Sequence, residues 1–189
     1  MKEEQILKAA RKLISKYGFK KVSMDEIAQE ANVTKKTVYA YFDSKESLLN
    51  ALIRSELNKV RKDLEEIESK KGDLISSLHE ALYKLMIYRH QNNFFKILFE
   101  EAEIVSNSKL RESIKIIEKD IIDYIKTKLE ETNKQGLTEI DNIEVMSFLI
   151  YKMYIALIIE WNDSYKELNE KDIADNILKL LKKGIIKQE

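Results

Sequence analysis

Apolar residues recur along this chain with a helical period almost from end to end. Ile6, Ala10, Leu13, Ile14 and Tyr17 fall at i, i+4, i+7, i+8 and i+11, one face of a helix, and Gly18 behind them is a left-handed stop. Ser23 followed by Glu26 forms a capping box, with Val22 and Ile27 placed to staple across it. Asn32, a residue that tolerates positive φ, ends that short helix. Thr34 caps a third helix, with Val33 facing Val38, and Asp43 or Ser44 opens a fourth that runs to about Lys71, before Gly72. Further helices are predicted at roughly 74–91, 93–105, 108–133, 141–163 and 170–186. An Asp141/Glu144 pair flanked by Ile140 and Val145 marks one of these starts, and Asn169 between Leu168 and Ile173 marks another.

Three short helices thus crowd the first 45 residues, and everything after them is longer. No repeat, low-complexity tract or flexible linker separates the parts, so the division predicted is residues 1–45 and 46–189, joined by the continuous fourth helix. Zero prolines and four glycines argue against an all-β sandwich or barrel, which needs turn residues at every reversal. With 35% charged and 44% apolar residues, the fold class predicted is all-α with a substantial core. The absence of cysteine excludes disulfides, thiolate nucleophiles, iron–sulfur clusters and cysteine-bound zinc. The charged N-terminus does not read as a secretory signal. The longest apolar stretch, Phe148 to Ile159, is twelve residues interrupted by Lys152, whereas a membrane span needs about 20. A cytoplasmic protein with no membrane partner is expected.

The formal net charge is zero, but it is unevenly spread. Residues 1–62 hold 14 Lys/Arg against 8 Asp/Glu, and the other 127 hold 19 against 25. A basic head on an acidic body suits a chain whose one end meets a polyanion.

Residues 24–43 satisfy the steric needs of a helix-turn-helix. Ile27, Ala31, Val33, Val38 and Tyr41 take the positions where the two helices cross, Ala28 supplies the small contact, and Asn32 supplies the turn. Two adjacent short helices of any α protein would satisfy the same spacing. The outward residues favour the first reading. The second helix begins Thr34-Lys35-Lys36-Thr37-Val38-Tyr39-Ala40-Tyr41, so its tip carries two cations, two hydroxyls and a phenol. Such groups read base edges and meet phosphates at the N-terminus of a recognition helix, and Lys45 lies beside the same surface.

The run from Ile27 to Leu49 resembles the DNA-binding signature of TetR-type transcriptional regulators, most specifically in Thr37-Val38-Tyr39-x-Tyr41-Phe42-x-Ser44-Lys45-Glu46-x-Leu48. The preceding Ala9-Ala10, Leu13-Ile14, Tyr17-Gly18-Phe19 and Val22-Ser23-Met24 are similar as well. The resemblance implies an Ω-shaped homodimer. Its N-terminal three-helix bundle, residues 1–45, would bind a palindromic operator in double-stranded DNA. A C-terminal body of about six helices, residues 46–189, would bind a small-molecule effector and dimerise. It places Lys35, Lys36, Thr37 and Tyr39 at bases or nearby phosphates, and Ser23, Thr34, Tyr41 and Lys45 at the DNA backbone. Asn32 stands where the family usually has glycine, and Asp25 where some members direct a cation at DNA.

Residues 145–161 are apolar on nearly every side, and a helix of that kind must be covered all round. Met146, Leu149, Ile150, Met153, Leu157 and Ile158 on this helix are predicted to form a dimer interface with Ile173, Ile177, Leu180 and Leu181 of the last helix; a buried core helix is the alternative. Tyr83, Met86, His90, Phe94, Phe95 and Phe99, with Met153 and Trp161 facing them, are the effector-site candidates by family analogy, against ordinary core packing. No catalytic residues, metal ligands or cofactor are predicted. The chain has no phosphate loop or nucleophile elbow, and His79 and His90 lack metal-site spacing, so both are read as surface or core-edge residues. The functional expectation is a ligand-responsive repressor; the alternative is a helical ligand-binding or scaffold dimer without DNA binding.

Overall fold

A computed structural model describes residues 2–70, 74–90, 93–104, 108–157, 161 and 169–184. The N-terminal helices begin and end where local chemistry says they should. α1 (Lys2–Tyr17) stops at Gly18, whose φ of 85° is the left-handed conformation that glycine adopts without a Cβ clash. α2 (Met24–Glu30) starts from Ser23 with both halves of the capping box made. Asn32, at φ 52°, then turns the chain into α3 (Lys35–Tyr41), whose first turn is capped by the Thr34 hydroxyl. Ser44, rather than Asp43, opens α4 (Lys45–Lys70): its hydroxyl accepts from the Ser47 amide at 3.0 Å while the Ser47 hydroxyl lies 3.1 Å from the Ser44 amide.

The described chain continues through α5 (Leu74–His90), α6 (Asn93–Ile104), α7 (Ser108–Lys134), α8 (Ile143–Ile155) and α9 (Glu170–Gly184), and no strand occurs among the described residues. α8 starts two residues later than predicted. Asn142, not Asp141, accepts the Val145 amide, which leaves Val145 exposed rather than stapled to Ile140. Asn169 caps α9 as expected through the Asp172 amide; Leu168 lies outside the described residues.

Packing divides the chain into two units. The first comprises residues 1–62 and 89–117, the second residues 63–88 and 118–189. The packed units therefore do not divide at residue 45, because the start of α4, all of α6 and the start of α7 pack with the N-terminal helices. In the first unit α1 packs on α2 and α6, and α2 packs on α3. Ile6, Ile14, Ile27, Val38, Leu48 and Leu49 are fully buried there. Glu56 of α4 is also buried, and it keeps its charge matched by Arg11 of α1 at 2.8 Å and Lys59 at 2.6 Å.

The second unit corrects the predicted self-association face. Ile173, Ile177 and Leu181 are buried within the chain, in one cluster with Leu82, Leu129, Ile140 and Ala174. Met146, Ile150, Met153 and Leu157 pack against that cluster from α8 and its continuation. The helix that is apolar all round thus lays one side on the core, with only Ser147 and Tyr151 of α8 fully buried. Only Leu149 and Leu180 of the predicted interface stay exposed, with Val145 and Phe148 beside Leu149, and Ile158 lies outside the described residues.

Leu48, wholly buried at the start of α4, gives a test of the head's core. Leu48→Ala is expected to cost about 3 kcal/mol through lost burial and the cavity left behind, read as a lowered urea midpoint at unchanged slope.

Candidate nucleic-acid interface

The helix pair α2–α3 holds each predicted contact residue in a distinct chemical state. Ser23 is committed locally: its hydroxyl donates to Glu26 at 2.7 Å and accepts from the Glu26 amide at 3.2 Å, while the Ser23 amide donates to the same carboxylate at 2.7 Å. These bonds, the side-chain one foremost, pull the Glu26 carboxyl below its ordinary range. The native state binds this proton less readily than the unfolded chain. The stabilisation is therefore present above the ordinary glutamate range of about 4.3 and is lost as pH falls through the lowered value. Thr34 is likewise a cap, accepting from the Thr37 amide at 3.2 Å, with the two threonine hydroxyls 2.9 Å apart.

The tip of α3 carries its two lysines differently. Lys35 reaches back to Asp25 on α2 at 2.8 Å, and that carboxylate raises the lysine's pKa. Asp25 thus faces the first cation of the recognition tip. Lys36 is exposed, as are Tyr39 and Tyr41, whereas Thr37 is half-buried. Val38 alone of α3 is fully buried, so the helix keeps one residue inward and turns lysine and phenol groups outward.

Tyr41 is corrected as a packing residue. α3 ends at Tyr41, and Phe42 follows in extended conformation (φ −138°, ψ 110°), a change that turns the Phe42 ring inward and leaves Tyr41 47% exposed. The phenol is therefore free of the core position and available on the surface that the family resemblance assigns it.

Lys45 sits at the edge of the same surface. Its ammonium lies 4.4 Å above the Phe19 ring and donates to the Lys20 carbonyl at 3.4 Å. Burial lowers its pKa, opposed by the charges of Glu101, Glu46 and Glu26. Glu101, on α6, is a residue that sequence reasoning missed. It accepts from the Phe19 amide at 2.8 Å and the Lys20 amide at 3.3 Å, across 82 and 81 residues of chain. A carboxylate near the end of an amphipathic helix reads as a solvated face, and the only sequence signal of its partner is Gly18.

The effector-site candidates do not gather in one packed unit. Phe94, Phe95 and Phe99 belong to the first, where Phe94 is fully buried with its ring edge-on to Phe95 at 5.1 Å, a core arrangement. Tyr83, Met153 and Trp161 belong to the second, with Tyr83 exposed and the other two half-buried. The side chains of Met86 and His90 lie outside the described residues. His79, the other histidine, is at the surface of α5, 2.7 Å from Asp175 of α9. No cluster of metal-ligating side chains occurs among the described residues.

Comparison with known proteins supports the reading of the helix pair. Residues 6–52 match the model of the bacterial regulatory proteins of the tetR family. An uncharacterised HTH-type transcriptional regulator of Bacillus subtilis, YhgD, is 29% identical over 184 residues, covering 97% of this chain and 96% of that protein. Among solved structures, the transcriptional regulator FadR from Bacillus subtilis in complex with stearoyl-CoA is similar at a TM-score of 0.76 and 22% identity, over 94% of this chain and 96% of that one. Thermus thermophilus FadR, a TetR-family repressor in complex with lauroyl-CoA, is similar at 0.72 and 21%, over 99% and 96%. The matched segment spans α1, α2, α3 and the first turns of α4, the elements that build and hold the exposed Lys36–Tyr39–Tyr41 surface. Residues 6–52 thus carry the DNA-binding segment of the tetR family of bacterial regulatory proteins, in a chain whose full-length relatives are HTH-type transcriptional regulators.

Proposed function

We propose that the chain is a ligand-responsive repressor that acts as a homodimer in the cytoplasm, gripping a palindromic operator with residues 1–45 and releasing it when a small molecule binds the body formed by residues 46–189. The observation that carries the reading is the α3 tip: Lys36, Tyr39 and Tyr41 are exposed on a helix whose inward side is already satisfied by Val38. Lys35, Thr37 and Lys45 flank that tip, with the Ser23 and Thr34 cap backbones beside it. A helix seven residues long offers few contacts to one half-site, so two copies about one turn of DNA apart supply the affinity.

Self-association is assigned to the apolar surface that the second unit leaves uncovered: Val145, Phe148 and Leu149 of α8, and Leu180 of α9. Neighbouring large apolar side chains exposed on one helix mark an interaction surface, and a stable interface buries about 1,200–2,000 Å² in all. The effector class put forward is a long-chain acyl-CoA. It rests on the two FadR structures, which hold stearoyl-CoA and lauroyl-CoA, and on the apolar character of the candidate residues Tyr83, Met153 and Trp161.

Fluorescence anisotropy with duplex DNA from upstream of the chain's own coding sequence tests the operator reading. Lys36→Ala is expected to weaken binding by about tenfold or more and to lower the salt-dependence slope by about 1, and Tyr39→Ala to weaken it without changing that slope. Unchanged binding in both variants would remove α3 as the reading surface. Sedimentation tests the dimer face: Phe148→Lys/Leu149→Lys should shift a micromolar sample to monomer, and a persistent dimer would place the interface elsewhere. In the anisotropy assay lauroyl-CoA or stearoyl-CoA should release the DNA while free coenzyme A does not; equal indifference to all three would discard the acyl-CoA reading.

A further inference from the structure

The turn between α1 and α2 is held from outside the DNA-binding helices. After α1 ends, the Gly18 amide bonds to the Ile14 carbonyl at 2.9 Å, and the chain passes through φ +85°. The next two amides, of Phe19 and Lys20, have no place in a helix ladder and point at one carboxylate oxygen of Glu101 on α6. The other oxygen fills the space in which any other residue at position 18 would carry its side chain: a Cβ there would stand 2.1 Å from Glu101 Oε1 and 2.9 Å from its Cδ. The left-handed conformation favours glycine here, and any side chain at this position would push the carboxylate out of the place it holds.

Lys45 also holds this turn, stacked on the Phe19 ring and bonded to the Lys20 carbonyl. Lys45 begins α4 four residues after α3 ends, and Ser23, three residues after Lys20, caps α2. Residues 18–20 are therefore the point where α1, α2, the start of α4 and α6 are tied together within the first packed unit. The fixed acceptor in that knot is Glu101.

We propose that Glu101 is a positioning residue for operator binding: by clamping the Phe19 and Lys20 amides it fixes α2, α3 and Lys45 in the arrangement that meets DNA, so that the placement of α6 sets how the recognition helix is presented. This rests on the reading that α2–α3 bind the operator. Coulomb's law alone argues the reverse sign. Removing a carboxylate beside a basic, DNA-facing surface should attract the duplex more strongly. Loss of the clamp should instead weaken binding, because two backbone donors lose a charged partner and the turn that sets the helix pair loosens.

The test uses the full chain and the same upstream duplex, with Lys36→Ala as the control for the underlying reading. Glu101→Ala is expected to bind about tenfold more weakly. Glu101→Gln, which keeps an acceptor oxygen but not the charge, should recover binding to within about threefold of the unsubstituted chain. Gly18→Ala should reproduce the Glu101→Ala loss, and the double variant should be no weaker than either single one, as expected for two changes that break one contact. Hydrogen exchange of the Phe19 and Lys20 amides should accelerate in Glu101→Ala while the interior amides of α1 stay protected, which separates a loosened turn from an unfolded head. Equal or tighter binding by Glu101→Ala, with Lys36→Ala still defective, overturns the proposal and leaves the helix-turn-helix reading standing. Failure of Glu101→Gln to recover binding also overturns it, since the clamp would then not be what the carboxylate supplies. Absence of DNA binding by the unsubstituted chain removes both.

Discussion

A helix of seven residues cannot hold itself together in water, and this chain places the groups proposed to meet DNA on two of them. Nucleating a helical turn fixes several backbone dihedrals for a single hydrogen bond, so isolated segments below about 12–15 residues are marginal. α2 and α3 exist because their ends are satisfied and their inner faces are covered. Ser23 and Thr34 supply the missing acceptors at the two N-termini, Asn32 makes the reversal, and Ile27, Ala28 and Val38 are drawn into the core where α2 packs on α1 and α3. The outward face is then set by elimination. With Val38 turned in, Lys36, Tyr39 and Tyr41 have nowhere to go but out.

That division of labour explains what could be read from the sequence. Caps and turns act over three or four residues, so Ser23-x-x-Glu26, Asn32, Thr34 and the stop at Gly18 were legible as they stand, and so were the helices between them. Phe42 was harder. A period of 3.6 carried past the end of α3 assigns Tyr41 to the core, whereas the backbone leaves helical conformation at Phe42 and that ring takes the place instead. The start of α8 slipped for a related reason: Asp141 and Asn142 are both good caps, and the choice between them depends on which register lets Ile140 reach the core.

The longer-range failures have a single physical origin. Periodicity shows that Ile173, Ile177 and Leu181 form a stripe, but not what covers it. The stripe meets Leu82, Leu129 and the inner side of α8 within the same chain, leaving a narrower apolar surface at Leu149 and Leu180 than the sequence implies. Glu101 was invisible for the same reason in reverse, its partners being more than eighty residues away and on the backbone. Buried Glu56 belongs to this class too, since only the folded chain shows that Arg11 and Lys59 converge on it.

The ion pair between Lys35 and Asp25 has a consequence for how a chain of this kind discriminates among duplexes. An ammonium on the tip that already owns a carboxylate has less to gain from an arbitrary phosphate, because it exchanges one anion for another and liberates fewer salt ions from the DNA. If α3 meets DNA as proposed, indiscriminate adhesion is thereby held down, while a site that also engages the phenols of Tyr39 and Tyr41 keeps its full complement of directional contacts. A built-in counterion of this sort widens the gap between the right stretch of genome and the vast excess of wrong ones without adding a single base contact.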